Sequence, residues 1–129
     1  MMNDKHLIFD RSTDEDVIFA KMHKDAGKIS ESDYGIYKKF FKASLLLLPT
    51  IDYYIYIKTT PLECYNNVLT RIQTRKANGE DIQGEEGISL EYLEDLHNHY
   101  TKFVKKLKNV IVVNNSSEIS DVIKNLIKK

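Results

Sequence analysis

Three arginines, Arg11, Arg71 and Arg75, stand among nineteen basic residues, the rest of which are lysines. A guanidinium is a planar fork that grips carboxylate or phosphate oxygens in a fixed geometry, whereas a lysine ammonium is a mobile point charge. A genome that favours lysine accounts for the scarcity of arginine, but not for where it persists. Arg11 lies in Asp10-Arg11-Ser12, directly after the apolar run Leu7-Ile8-Phe9. There Arg11 could hold an anionic group or a catalytic carboxylate, and Asp10 could orient it or hold a metal ion. A strand-end turn with a local ion pair is the plainer alternative. Arg71 and Arg75 are four apart and share one face of a helical turn. They lead into the segment 76–87, which has three glycines and closes on Glu85-Glu86. Two cations at the entry and two carboxylates at the exit are the parts of a phosphate-clamping lid: cations for charge that develops in transfer, carboxylates for hydroxyl groups. Cations at a helix C-terminus also complement its dipole, which is the competing reading.

Other reactive side chains offer less. His97 and His99 are two apart and so fall on different faces of a helix, which argues against a joint metal site, and neither fits a zinc spacing. The single cysteine, Cys64, cannot form an internal disulfide, so a reducing, cytoplasmic setting and a packing role are expected. Tyr53, Tyr54 and Tyr56 read as strand packing.

These residues need elements to position them. Leu7–Asp10 reads as a strand buried on both faces. Val17, Ile18 and Met22 recur at helical spacing from Asp14 until Gly27. Ser30 with Asp33 reads as the cap of a second helix that Pro49 ends. Asp52–Lys58 is aromatic and β-branched, a second strand. Thr60-Pro61, with Glu63 in the first turn, starts a helix running to about Arg75 or Lys76. The segment 76–87 reads as a mobile loop, 89–107 as another helix, Val110–Val113 as a third buried strand, and Ser117 as the cap of a last helix. Strands alternating with helices predict an α/β layered domain around a three-stranded parallel sheet.

With 129 residues, 42% apolar and 29% charged, the chain has the composition of one folded domain. A net charge of zero gives no reason to expect nucleic acid or an anionic membrane as partner. The longest apolar run, Leu45–Leu48, is far short of the ~20 residues of a membrane span. The opening residues have no apolar leader region before charges intervene.

Taken as a set, LIFDRSTDEDVIFAKMHKDAGKISESDYGIY, YYIYIKTTPLECYNNVLTRI and EEGISLEYLEDLHNHY resemble the deoxynucleoside kinase family, in the right order and over nearly the whole chain. The resemblance implies 5'-phosphorylation of deoxyribonucleosides with ATP and Mg²⁺. It casts Asp10-Arg11-Ser12 as the family's [D/E]-R-S motif, with Asp10 near magnesium and Arg11 at the substrate's 5' end. It also places Asp16 at the base, which leans the substrate toward deoxyadenosine, deoxycytidine or deoxyguanosine. Arg71 and Arg75 become the lid arginines that meet the phosphate donor. Glu85 or Glu86 becomes the acceptor for the sugar 3'-hydroxyl, and the two stay undecided because the lid is longer than usual around 78–83. Where relatives often carry a further lid arginine, this chain has Ala77, and Lys76 is the available substitute.

The family's G-x-x-x-x-G-K-[ST] phosphate loop and the Glu that follows it have no counterpart here. The expectation is therefore an incomplete P-loop kinase-type domain lacking the N-terminal βαβ portion and inactive alone. In the family's sheet order 2-3-1-4-5, the absent first strand would separate Leu7–Asp10 from Tyr53–Lys58. A P-loop half on a separate chain and a homodimer are the expected partners; a non-catalytic remnant or nucleoside-binding module is the alternative.

Overall fold

A computed structural model describes residues 5–128; the first four residues, read above for a leader, lie outside them. The element order is α1 (Asp16–Asp25), α2 (Glu31–Leu45), β1 (Tyr54–Ile57), α3 (Pro61–Ala77), α4 (Leu90–Lys106), β2 (Val110–Val113) and α5 (Ile119–Ile127), with 3₁₀ turns at Thr13–Glu15 and Ser116–Glu118. Helix α4 packs against both α1 and α3, and α1 also meets α2.

Local chemistry explains most boundaries. The Ser30 hydroxyl accepts from the Asp33 N–H at 3.0 Å and opens α2. Thr60 and Glu63 form a reciprocal capping box, and Pro61 occupies the first turn of α3, where its missing N–H costs nothing. Helix α1 ends where Gly27 takes φ +75 while Lys28 N donates to His23 O at 2.9 Å, a turn that only a residue tolerant of positive φ closes cheaply. Two starts differ from expectation. A 3₁₀ turn carries Thr13–Glu15, so α1 proper begins at Asp16. Asn115, not Ser117, caps the last turn: its side-chain oxygen accepts from the Ser117 N–H at 3.1 Å.

Strands β1 and β2 pair in parallel, Tyr54 opposite Val110 through Ile57 opposite Val113. The expected three-stranded sheet is therefore two-stranded among the described residues. The segment 5–9 has no ladder partner, and Leu7, Ile8 and Phe9 are 73%, 68% and 69% exposed. The apolar pattern of a doubly buried strand is present, but a strand needs a neighbour for its backbone groups, and none of the described residues pairs with it. On β1, Tyr54 N and Lys58 N donate to Asn109 O and Val113 O, so the intervening Ile55 and Ile57 turn their backbone groups to the other edge. That edge is unpaired among the described residues.

Among the described residues the buried side chains are few, Ile18, Met22, Val68 and Val113. The surface totals 10,255 Å², whereas a free-standing 15.0 kDa globule exposes about 7,000 Å². Phe40, Leu46 and Leu47 on and after α2 add to the uncovered apolar area. No helix among the described residues is long and apolar enough to cross a membrane.

Candidate functional site

The candidate residues assemble into two groups. The first gathers around the turn that follows the segment 5–9. Asp10 is exposed and forms no ion pair or hydrogen bond among the described residues. Arg11 takes φ +69, a left-handed conformation uncommon outside glycine. Its guanidinium lies 5.6 Å from the centroid of the Phe19 ring, within cation–π range. Behind it, Tyr54 Oη donates to Asp14 Oδ2 at 2.5 Å and ties the turn to β1. Burial first, and then Asp14, push the Tyr54 hydroxyl up to about 12.

Glu15 completes this group. Desolvation raises its carboxyl above the ordinary range, and the nearby Arg11 charge only partly offsets that. One oxygen each of Ser12, Asp14 and Glu15 is shielded from solvent without a hydrogen-bond partner among the described residues. Glu15 also borders a small hollow, about 30 Å³, walled by Tyr54, Tyr56, Tyr100 and Phe103. Asp16, in the first turn of α1, is exposed, and its charge helps to raise both the Tyr37 and Tyr100 hydroxyls, for which burial is the main cause. The sequence singled out Asp10, Arg11 and Asp16 but passed over Asp14, Glu15 and Tyr54. Their only sequence signal is that Tyr54 and Tyr56 share one face of a strand, while three successive acids enter a helix.

The second group is the lid. Helix α3 runs on through Ala77, so Lys76 and Ala77 are helical and the connection starts at Asn78. Two turns shape it: Gly79 takes φ +73 and Glu80 N donates to Arg75 O at 2.9 Å, and Glu85 N donates to Ile82 O at 2.9 Å. Arg71 Nε lies 2.5 Å from Glu85 Oε1, and Arg75 Nη1 lies 3.8 Å from the same oxygen. Arg75 also reaches Glu80 at 3.7 Å, and Lys76 reaches Glu86 at 3.9 Å. Glu85 is 14% exposed and Glu86 58%, so Glu85 is the carboxylate turned inward. No hydrogen bond or ion pair among the described residues joins the lid group to the Arg11 group.

The residues set aside keep structural roles. His99 Nδ1 lies 2.8 Å from the Asp95 carbonyl, which can only accept, so Nδ1 carries a proton. Its Nε2 lies 3.3 Å from Asp25 Oδ2, across the α1–α4 contact, and that contact holds the Asp25 carboxyl below its ordinary value. Burial, and then Glu63, push the Cys64 thiol up, which fits a packing residue better than a nucleophile. Among the described residues no three His, Cys, Asp or Glu side chains are grouped to hold a metal. Magnesium in phosphoryl transfer is held by one or two carboxylates and by the phosphates themselves, and the unpaired Asp10 carboxylate fits that donor set.

Of the residues singled out by the resemblance, Arg71 and Arg75 meet on Glu85, and Arg11 stands in a turn joined to β1 through Asp14. The sequence profile described as Deoxynucleoside kinase matches residues 1–129. The chain belongs to the deoxynucleoside kinase family. It is 32% identical over 104 residues to a deoxyadenosine kinase of Dictyostelium discoideum, covering 81% of this chain and 39% of that one. A deoxyguanosine kinase of the same organism is 32% identical over 127 residues, covering 94% and 41%. Deoxycytidine kinase 2 of Gallus gallus is 35% identical over 107 residues, covering 79% and 37%. Among solved structures, the deoxyadenosine kinase from M. mycoides with bound dATP superposes with a TM-score of 0.63 at 26% identity, over 97% of this chain and 63% of that chain. The chain thus spans about two fifths of the length of these curated relatives.

Proposed function

We propose that this chain provides the acceptor and lid side of a deoxynucleoside kinase, which transfers the terminal phosphoryl group of ATP to the 5'-hydroxyl of a deoxyribonucleoside. The observation that carries the reading is the convergence of Arg71 and Arg75 on Glu85 at the entry to the lid. Phosphoryl transfer asks mainly for positioning and neutralisation of charge, and two guanidinium groups at the end of a rigid helix are placed for both. Arg11, backed by Phe19 and by the Asp14–Tyr54 tether, holds the 5' end of the nucleoside. Glu85, rather than Glu86, accepts the 3'-hydroxyl, because its carboxylate is the one directed inward. Asp16 faces the base, which favours deoxyadenosine, deoxycytidine or deoxyguanosine. Asp10 would help to hold Mg²⁺, which would supply positive charge to neutralise the donor phosphates.

The phosphate-cradling loop and the general base belong to a portion that covers the apolar face left open by Leu7–Phe9, Ile55, Ile57 and the end of α2, whether joined to this chain or separate from it. The excess of exposed surface supports that reading, since roughly 3,000 Å² beyond the norm for this mass is the scale of a large permanent interface. Calorimetric titration of the chain with the four deoxynucleosides, repeated with Arg11→Ala, tests the acceptor site. Micromolar to millimolar binding of an amino-bearing deoxynucleoside, lost in the variant, is expected. Heat signals for none of the four would sink the reading. Phosphorylation is expected only when a P-loop portion is supplied, and binding that never becomes turnover in its presence would favour a nucleoside-binding module.

A further inference from the structure

We infer that Glu85 couples the two ligand subsites of the lid, because the arginines that would grip a phosphate are the partners that its carboxylate already holds. The inference rests on the function proposed above and adds a regulatory relation between its two halves. One oxygen of Glu85 is shared by Arg71 and Arg75, at 2.5 and 3.8 Å, while the other, Oε2, is shielded from solvent and accepts no hydrogen bond among the described residues. Glu80 and Glu86, more than half exposed, contact Arg75 and Lys76 at 3.7 and 3.9 Å without being enclosed. Glu85 is therefore the enclosed competitor of a phosphate for these guanidinium groups.

A polyphosphate offers several anionic oxygens to the same planar forks and draws them off a single carboxylate oxygen. Glu85, enclosed and stripped of its cations, then needs a donor, and a neutral hydroxyl supplies one without bringing a new charge into the enclosure. A hydroxyl arriving first has the converse effect: it satisfies Glu85 and loosens its hold on the arginines. Thermodynamic reciprocity requires the two effects to be equal in size. Glu80 N on Arg75 O and Glu85 N on Ile82 O close two turns of the connection, and the exchange between side chains needs neither turn to open.

Titrations of the full chain with inorganic tripolyphosphate, with deoxyadenosine, and with each in the presence of the other, in wild type and Glu85→Gln, test the coupling. Glu85→Gln keeps the shape of the side chain and removes its charge, and should bind tripolyphosphate about two- to fivefold tighter, the upper span of a partly exposed ion pair. In wild type, saturating deoxyadenosine should tighten tripolyphosphate by a similar factor, and this gain should vanish in the variant. Unchanged or weaker tripolyphosphate binding by Glu85→Gln overturns the inference, as does independent binding of the two ligands in wild type. If deoxyadenosine binds neither protein while Glu85→Gln still gains on tripolyphosphate, the nucleoside reading and the coupling both fall, and only the competition for the arginines survives. A second readout needs no variant. With three arginines in the chain, the Arg71 Nε–Hε resonance is assignable by nuclear magnetic resonance, and it must shift on adding tripolyphosphate; a resonance unmoved at saturation overturns the inference.

Discussion

Deleting the Tyr54 hydroxyl asks whether the Asp10-Arg11-Ser12 turn is anchored to the sheet through Asp14. Tyr54→Phe keeps the ring and its apolar contacts and removes only the donor to Asp14 Oδ2. A hydrogen bond to a charged acceptor contributes ~1.5–3 kcal/mol, and because both residues are half-buried the lower end, about 1.5 kcal/mol, is expected here. With a urea slope of roughly 1.5 kcal/mol per molar for a small domain, the unfolding midpoint should fall by about 1 M. Asp14→Asn and the double variant complete a cycle whose coupling should be about 1 kcal/mol. Tyr53→Phe is the control: the residue lies just before β1, is 47% exposed, makes no hydrogen bond through its hydroxyl among the described residues, and should leave the midpoint where it is. The dependence on pH gives an independent sign. The folded value for Tyr54, about 12, lies above its ordinary 10.0, so the contribution is fully present below pH 10.0 and is lost as the pH rises through about 12. The gap between wild type and Tyr54→Phe should close across that window. A variant within ~0.3 kcal/mol of wild type, or a coupling near zero, would refute the anchoring role, since additivity at that level marks independent sites.

Three further outcomes follow from the same geometry. Arg11→Ala should weaken deoxynucleoside binding by about 10- to 100-fold, the worth of a charge-assisted hydrogen bond, with little change in the unfolding midpoint because the side chain is exposed; calorimetry and urea titration read the two separately. Glu15→Gln should unfold at a higher temperature than wild type at neutral pH. The raised carboxyl of Glu15 means that its contribution is complete below the ordinary 4.5 and is lost as pH rises through the higher folded value, so the two melting curves should converge in acid. Thr60→Ala, which opens the capping box, should cost about 1 kcal/mol of stability. Glu63 is held below its ordinary value by the Thr60 backbone N–H, which the variant keeps, and then by the Thr60 hydroxyl, which it loses. The hydroxyl's share is present above 4.5 and fades as pH falls through the lower folded value, so the stability gap should narrow in acid without closing, because the bond from Glu63 N–H to Thr60 Oγ1 does not titrate.

Features closed within a few residues were readable from the sequence. Thr60-Pro61 with Glu63, Ser30 with Asp33, and the strand at Val110–Val113 each contain their own cause and appear where expected, but the burial expected of that strand reaches Val113 and not Val112, which is 52% exposed. The pairing of Arg71 and Arg75 on one face was likewise a matter of helical spacing. What failed depends on partners distant in the chain. Leu7–Asp10 has the side chains of a buried strand, but no neighbour supplies its ladder. Glu85 and Glu86 are adjacent and alike, and only the approach of α3 decides which one is enclosed. Asp14 and Tyr54 lie forty residues apart with nothing local to link them.

The parallel pairing of Tyr54 with Val110 encloses all of α3, the lid and α4 in a single chain loop. Closing such a loop is entropically costly at the outset, so sheet formation should be a late event in folding. The cost, however, grows only with the logarithm of loop length, by ~0.6 kcal/mol for each doubling. Residues added between Gly79 and Glu85 therefore burden the sheet by almost nothing. The lid can change length from one relative to another while the strand register, and with it the position of Arg71 and Arg75, stays fixed.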